Sequence, residues 1–569
     1  MSELNRRAAT TGRTDLAVSG VELEILRNKL QALTIELGVA LANASPTPQV
    51  NLGRDFAVAI ADTKGRIVAI DNALHLGSFA HTAPAMLEYF RFDMKDGDVA
   101  VSNDPYRGGM QVQDFTLATP FVVGDAIVLY LLARAHMPDI GGQVSGNYFP
   151  AATEIWAEGV PVSPVKIQRY GRPVRDILTT LLLNSRRPEE ARRNIDAVIA
   201  SLTLGRKRLE EIADVHGANG VRSALAYTQD YAERHARAAI RRWRNGEYEG
   251  ERTLDHDCAG GGSVTVRVKA TVTDEQVALD FSTSDDQRPS FINSSLGNTA
   301  SLALLPVFVA LGEHVPRNSG VLRVVQIKSR PGAITDARLP APVGWSQTHC
   351  GAEIVESVAA ALRGAVSEPL GALTAPSCLV LGRPSSDRSR QLEFTAWGIG
   401  GCSGLPGADG WGLPHVMSRA ILPSVEQWEV ETRMPVQHLN LIEDSGGAGE
   451  WRGTPAVEAV ISLLPDHVYT VCVQGRDNVV PGVMGGRPGS RSSVEFVLAD
   501  GSVSAPSVTV EAPMPAQRLS IRLGGGGGYG DPKARDRVSV LDDVLDGYIS
   551  AGAAAQVYGL QEQALSSVR

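Results

Sequence analysis

The sequence predicts an α+β protein, large, composite and multi-domain, with mixed and antiparallel sheets around a central helical segment. Three observations predict it. Stretches of strand character dominate before residue 172 and after 247, a block with helical spacing fills the interval, and 569 residues exceed what one ordinary core accommodates. The expected division is a polar tail (1–20), an α+β region (21–172), the helical segment (173–247), a β-rich region with inserted helices (248–510) and a Gly-rich strand and loop with terminal helices (511–569).

Taken in order, Leu26, Leu30, Leu33 and Leu37 fall on one stripe of a helix over 21–42, which Ser45-Pro46 and Pro48 end. The runs from Asp55 to Asp62 and from Arg66 to Ile70 form a hairpin around Lys64-Gly65. A second hairpin follows. Phe115 to Val123 and Ile127 to Ala135 are strand-like, and the second is apolar on both faces, as a strand buried on both sides would be. Gly124-Asp125 separates them. If the loop holds three residues, Asp114 stands opposite His136; a two-residue loop puts Gln113 there instead. A carboxylate beside an imidazole suits either two metal ligands or a base with its orienting partner, and Asp139 is placed to accept the imidazole N–H.

Arg187-Pro188 opens a helix in the central segment, Gly217 to Gly220 interrupts it, and the cations Arg234, Arg237, Arg241 and Arg242 are interleaved with Asp230 and Glu233, as on a solvated or subunit-facing helix. Ser263 to Lys269 and Val277 to Ser282 alternate as strands. A helix over 298–311 is expected behind an Asn298 cap, kinked or split by Pro306, and another ends at Leu362. Residues 395–425 read as Gly-rich wrapping loops. Glycines 524–528 follow a strand over 518–523, and Gly525, Gly527 and Gly530 spell GxGxxG, but only two short helical patterns come after, so no βαβ unit closes. Backbone that closely approaches another surface is the expectation there.

A net charge of -9 argues against nucleic acid as partner, and no run reaches the roughly 20 apolar residues of a membrane helix. The N-terminus lacks a secretory core. The 5 cysteines are widely spaced without CxxC, as in reduced thiols of a cytoplasmic protein. GxxxxGK[ST], HExxH and GxSxG are absent from the sequence, so an ATP site is expected on another chain.

NDPYRGG from Asn103, MQVQ from Met110, Asp114, ARAHMPDIGG from Ala133 and ATEIWAEG over 152–159 closely resemble the hydantoinase B/oxoprolinase family. The likeness continues through Asp280-Phe281-Ser282, Asn318-Ser319-Gly320, 444–453 and GGGGYGDP before residue 533, covering about 20 to 560. The resemblance implies an enzyme subunit working beside a larger A-type chain with an actin-like fold that binds ATP-Mg, in a hetero-oligomer such as a heterotetramer. That chain phosphorylates the oxygen of a lactam, hydantoin or ketone, and the B-type chain hosts hydrolysis of the cyclic amide. The alternatives are a subunit of an ATP-dependent ketone carboxylase and a non-catalytic scaffold.

Family members with a recognised metal carry THxxD before the later AH histidine. Transferred by position, the ligands of a divalent ion (manganese, zinc or iron) become Gln111, Asp114 and His136, with glutamine replacing histidine. Asp104, Asp139 or His75 would supply the missing ligand if the site keeps its metal; otherwise Asp114 and His136 act as acid and base. Asp139 and Asp104 complete the expected catalytic set, and Asn103, Gln111 and His75, the last from an HLGS element like the family's, are expected to line the substrate.

Overall fold

The computed structural model describes residues 18–560 except 92, 376–377, 391, 394–400, 411–416, 418 and 420–423. Most of the expected polar tail, and much of the Gly-rich stretch over 395–425, lie outside the described residues.

Helix Gly20–Ala44 starts where Ser19 and Glu22 form a reciprocal capping box, and its leucine stripe is buried. Seven strands form the first sheet: β1 (Phe56–Ala61), β2 (Ile67–Ile70), β3 (Val99–Ser102), β4 (Asp114–Val123), β5 (Ala126–His136), β6 (Val165–Arg169) and β7 (Arg172–Pro173). Their spatial order is β2-β1-β5-β4-β3-β6-β7, antiparallel throughout. β5 is central and covered on both faces. Leu129, Leu131 and Ala133 pack towards Gly20–Ala44 and the long helix, while Tyr130 and Leu132 join the core on the other side.

The central segment is helical as expected, over Arg175–Leu183 and Pro188–Ile240. Gly217, at φ 67° and ψ 170°, breaks the second where the glycines predicted a break. A second sheet then forms from β8 (Gly246–Leu254), β9 (Val264–Thr273), β10 (Gln276–Asp280) and β11 (Val325–Lys328), mixed because β10 and β11 run parallel. Helix Leu296–Leu311 lies in their connection. Its cap is Ser295, whose hydroxyl accepts from Asn298 N, and not Asn298 itself; the helix continues through Pro306 as one element. Helix Gly351–Leu362 packs on β8 and β9.

The remaining strands are β12 (Cys378–Pro384), β13 (Leu392–Glu393), β14 (Val436–Leu441), β15 (Val457–Ser462), β16 (His467–Val473), β17 (Ser493–Leu498), β18 (Val503–Ser504), β19 (Val508–Pro513) and β20 (Ala516–Leu523). They make two sheets, β13-β12-β16-β19 and β14-β15-β20-β17-β18, which share a core around Tyr469, Val471, Phe496 and Ile521. The glycine run lies directly beyond β20. A methyl added at Gly524, Gly525, Gly526, Gly527 or Gly528 would collide with the carbonyl oxygen of Ser490, Ser445, Cys402, Pro481 or Ala448, respectively. Backbone hydrogen bonds knit the strip to its neighbours: Gly447 N donates to Gly526 O at 2.8 Å and Gly404 N to Gly527 O at 2.9 Å. Here the run is packed backbone against backbone, as the sequence suggested.

Gly526→Ala is therefore expected to lower the thermal unfolding midpoint by several degrees, or to abolish soluble expression. Gly552→Ala, in a terminal helix with room for a methyl, should leave the midpoint unchanged or slightly raised. Differential scanning calorimetry of both variants makes the comparison.

Candidate active site

Asp114 opens β4, His136 closes β5, and the two are direct cross-strand partners. The loop between them holds only Gly124 and Asp125, which alone would have placed Gln113 opposite His136. A bulge corrects this. Val123 pairs with Ala126 and Val122 with Ile127, but Phe121 pairs with Leu129, so Val128 is the extra residue that shifts the register by one. β1 continues the row on the other side of β5: Phe56 pairs with Ala135, and His136 N donates to Asp55 O at 3.2 Å. Asp55, His136 and Asp114 thus end three adjacent strands on one edge of the sheet.

The side chains converge. His136 Nδ1 lies 3.3 Å from Asp114 Oδ1 and 3.4 Å from Asp55 Oδ2. His136 and Asp114 are buried and Asp55 is a quarter exposed, so Asp55 faces the outside. The second oxygen of Asp114, Oδ2, is buried without a hydrogen-bond partner. Burial pushes the Asp114 carboxyl up, but its hydrogen bond and charge interaction with His136, helped by Arg134, outweigh this and hold it below the usual carboxylate range.

Arg134 lies two residues before His136 and on the same face. It is completely buried: Nε donates to Thr116 Oγ1 at 2.8 Å, Nη1 to Ser78 Oγ at 2.6 Å and Nη2 to Thr82 Oγ1 at 3.1 Å, and its plane covers the Phe79 ring at 4.7 Å. Burial pushes its pKa down to about 10, opposed by the charges of Asp114 and Asp55. His75 is buried close by, with neither ring nitrogen hydrogen-bonded. Burial and the Arg134 charge push it down to about 3, so it is a neutral imidazole. Across the site, the Tyr148 ring stacks on His136 at 6.0 Å with its hydroxyl 3.5 Å from Nε2.

His75, Gln111, Asp114 and His136 are thus brought together, while the other three expected site residues serve the scaffold. Asp139 accepts from Gly141 N, Gly146 N and Arg186 N and pairs with Arg186 Nη1 at 3.1 Å; it anchors a loop and does not orient His136. Asn103 donates to Val112 O and Val160 O and accepts from Val162 N. Asp104 caps the short helix Pro105–Arg107 by accepting from Tyr106 N at 2.9 Å. Turn chemistry at these positions outcompetes site chemistry.

Gln111 turns its amide nitrogen to the pair, 3.3 Å from Asp114 Oδ1 and 3.2 Å from His136 Nδ1, so as placed it is a donor and not an oxygen ligand. Asp55 makes the third anionic or imidazole donor. Asp55, Asp114 and His136 offer ligand atoms all within 4.8 Å of one another. Ligand distances of about 2.0–2.2 Å set neighbouring donors about 3.0–3.5 Å apart, which matches the 3.3 and 3.4 Å found here. Two carboxylates, one imidazole and an orphaned carboxylate oxygen fit a hard or borderline divalent cation. Three further residues of the site are not among those expected from sequence. Asp55 was visible as the acid opening the neighbouring strand, Arg134 by its two-residue offset from His136, and Tyr148 had no local signal.

The hydantoinase B/oxoprolinase family description matches residues 19–532, and the chain belongs to that family. It is 28% identical to the beta chain of the caprolactamase of Pseudomonas jessenii over 95% of this chain and 96% of that one. It is 25% identical to the B chain of a putative D-/L-hydantoinase of Pseudomonas sp. (strain NS671), over 96% of both. The 5-oxoprolinase of Saccharomyces cerevisiae is 23% identical, and the match spans 43% of its length. Among solved structures, the ATP-dependent caprolactamase of Pseudomonas jessenii superposes with a TM-score of 0.86 at 26% identity, covering 96% of each chain. Acetone carboxylase, at 16% identity and a TM-score of 0.84 over 95% of this chain and 80% of that one, shares the fold. Among the described residues no helix is long and apolar enough to cross a membrane.

Asp55→Asn and Asp114→Asn should each lower bound manganese or zinc on the order of tenfold or more, whereas Gln111→Ala should retain it, read by elemental analysis after equilibration with limiting metal. Arg134→Met removes the internal counter-charge; a loss of about 3–5 kcal/mol is expected in chemical denaturation.

Proposed function

We propose that this chain is the B-type component of an ATP-dependent cyclic amide hydrolase, acting on a lactam, hydantoin or oxoproline whose oxygen an A-type partner has phosphorylated. The observation that carries this reading is the cluster of Asp55, Asp114 and His136 at one sheet edge. The caprolactamase and hydantoinase relatives, each one chain of a multi-chain enzyme by name, support the substrate class and the need for a partner.

Phosphorylation of the amide oxygen makes the ring carbon electrophilic; once water has added, the ring C–N bond breaks with a proton delivered to nitrogen, and the acyl phosphate that remains is hydrolysed to carboxylate and phosphate. Water must therefore be held and relieved of a proton beside that carbon. His136 has the position for this, with Nδ1 towards the carboxylates and Nε2 towards Tyr148. Asp114 stabilises the imidazolium that results, as a buried carboxylate beside a base does. His75, neutral and unpartnered, offers a polar contact to substrate without adding charge. The alternative use of the same side chains excludes the base role of His136: Asp55, Asp114 and His136 Nδ1 would hold a divalent cation, which when bound would polarise a substrate oxygen and offset the two carboxylates, with His136 a ligand and not the base.

The test is reconstitution with the A-type partner, following phosphate release and ring-opened product from caprolactam, hydantoin and 5-oxoproline with and without bicarbonate. Product formation independent of bicarbonate is expected, reduced at least about a hundredfold by His136→Ala while the complex still assembles. ATP turnover that requires bicarbonate and a ketone would establish the carboxylase reading instead. Unchanged turnover in Asp114→Asn and His136→Ala would establish a scaffold role.

A further inference from the structure

A second group of metal-binding side chains lies away from the carboxylates. His256 and Cys258 sit in the loop after β8, Cys472 is in β16, and His349 precedes helix Gly351–Leu362. His256, Cys258 and Cys472 offer ligand atoms all within 4.8 Å of one another. Cys258 Sγ is 3.1 Å from Cys472 Sγ and 3.5 Å from His256 Nδ1, and on the other flank His349 Nδ1 is 3.5 Å from Cys472 Sγ.

The surroundings are those of ligands held in place. His256 Nε2 lies 2.8 Å from Val473 O, so its N–H donates there and Nδ1 carries the lone pair on the sulfur side, where it accepts from Cys258 N at 3.3 Å. Gln474 clamps the same loop, accepting from Asp255 N and donating to His256 O.

We propose that Cys258, Cys472 and His256 form a three-ligand zinc site that ties the loop after β8 to β16, with His349 against the Cys472 side. Zinc bound at about 2.3 Å to sulfur and about 2.0–2.1 Å to nitrogen sets a sulfur–nitrogen edge of about 3.5 Å, as found between Cys258 and His256. It sets a sulfur–sulfur edge of about 3.8 Å, which rotation of the half-buried Cys258 side chain reaches from 3.1 Å. Two thiolates neutralise a divalent ion and a neutral imidazole adds no charge, so the site carries no net charge. Zinc takes both sulfurs as thiolates, so any thiol proton is released on binding.

Sulfur ligands separate this site from the oxygen-rich cluster at Asp55, Asp114 and His136, because soft thiolates select zinc over magnesium or manganese. The two are joined by rings. His349 meets Trp345 edge-on at 5.5 Å, Trp345 meets Tyr148 edge-on at 4.7 Å, and Tyr148 stacks on His136. Fixing Cys472, which lies 3.5 Å from His349 Nδ1, therefore steadies the wall against which His136 rests.

The test uses the full-length chain purified under reducing conditions, stripped with a chelator and titrated with cobalt(II), then zinc. One equivalent of cobalt with intense sulfur-to-metal charge-transfer absorption, persisting in Asp114→Asn and lost in Cys258→Ser, is expected; zinc should displace it. Absence of that absorption in the wild-type chain overturns the site, whatever the folding of the variant. So does a thiol count under denaturing, non-reducing conditions that is two short in metal-free protein, which would show a Cys258–Cys472 disulfide instead.

Discussion

Burying the Asp114 carboxylate, with the partly exposed Asp55 two strands away, requires positive charge close by, and Arg134 is the part of it that this chain supplies itself. Its guanidinium is enclosed by Ser78, Thr82 and Thr116 and covered by Phe79, and it forms no paired salt bridge with either acid. Its charge therefore acts through a medium of low dielectric, where it reaches both Asp114 and Asp55. With His75 neutral, two carboxylates face one buried guanidinium, which leaves the second carboxylate to be balanced by a protonated His136 or a bound cation. A site of that balance, with an orphaned Asp114 oxygen and a neutral His75 beside it, is arranged to receive a cation and a polar substrate.

The same edge depends on strands packed from both sides. β5 can end in a buried histidine because helices Gly20–Ala44 and Pro188–Ile240 cover one face of its sheet and the core around Leu304 and Phe308 covers the other. The C-terminal half contributes by a different device. The glycine strip beyond β20 lets several backbones approach to distances that any side chain would prevent, and hydrogen bonds between those backbones replace a conventional apolar core there. This explains why a GxGxxG pattern stands without a dinucleotide site: the glycines answer to neighbouring chain segments.

Much of the architecture was legible because periodicity reports burial directly. The leucine stripe over 21–42, the alternation in β9 and the doubly apolar β5 each describe a face that must be covered, and each element formed where its pattern lay. Local chemistry was less decisive. Ser295 took the cap expected of Asn298 because its hydroxyl sits one turn earlier, where the helix begins. Asp139, Asp104 and Asn103 look like site residues in a list of polar groups, yet each is occupied by backbone amides or by Arg186.

What the sequence determined by itself was the pairing of elements and the nature of the chemical groups: a hairpin carrying Asp114 and His136, a glutamine where the resembling family has a ligand, and a family likeness running almost the length of the chain. What only the tertiary structure decided was register and neighbourhood. One extra residue, Val128, sets Asp114 and not Gln113 against His136, because a bulge moves every later side chain by one place and so to the other face. Pairing of β1 with β5 brings in Asp55 from some 80 residues away in the chain, a relation set by long-range hydrogen bonding that no local pattern encodes.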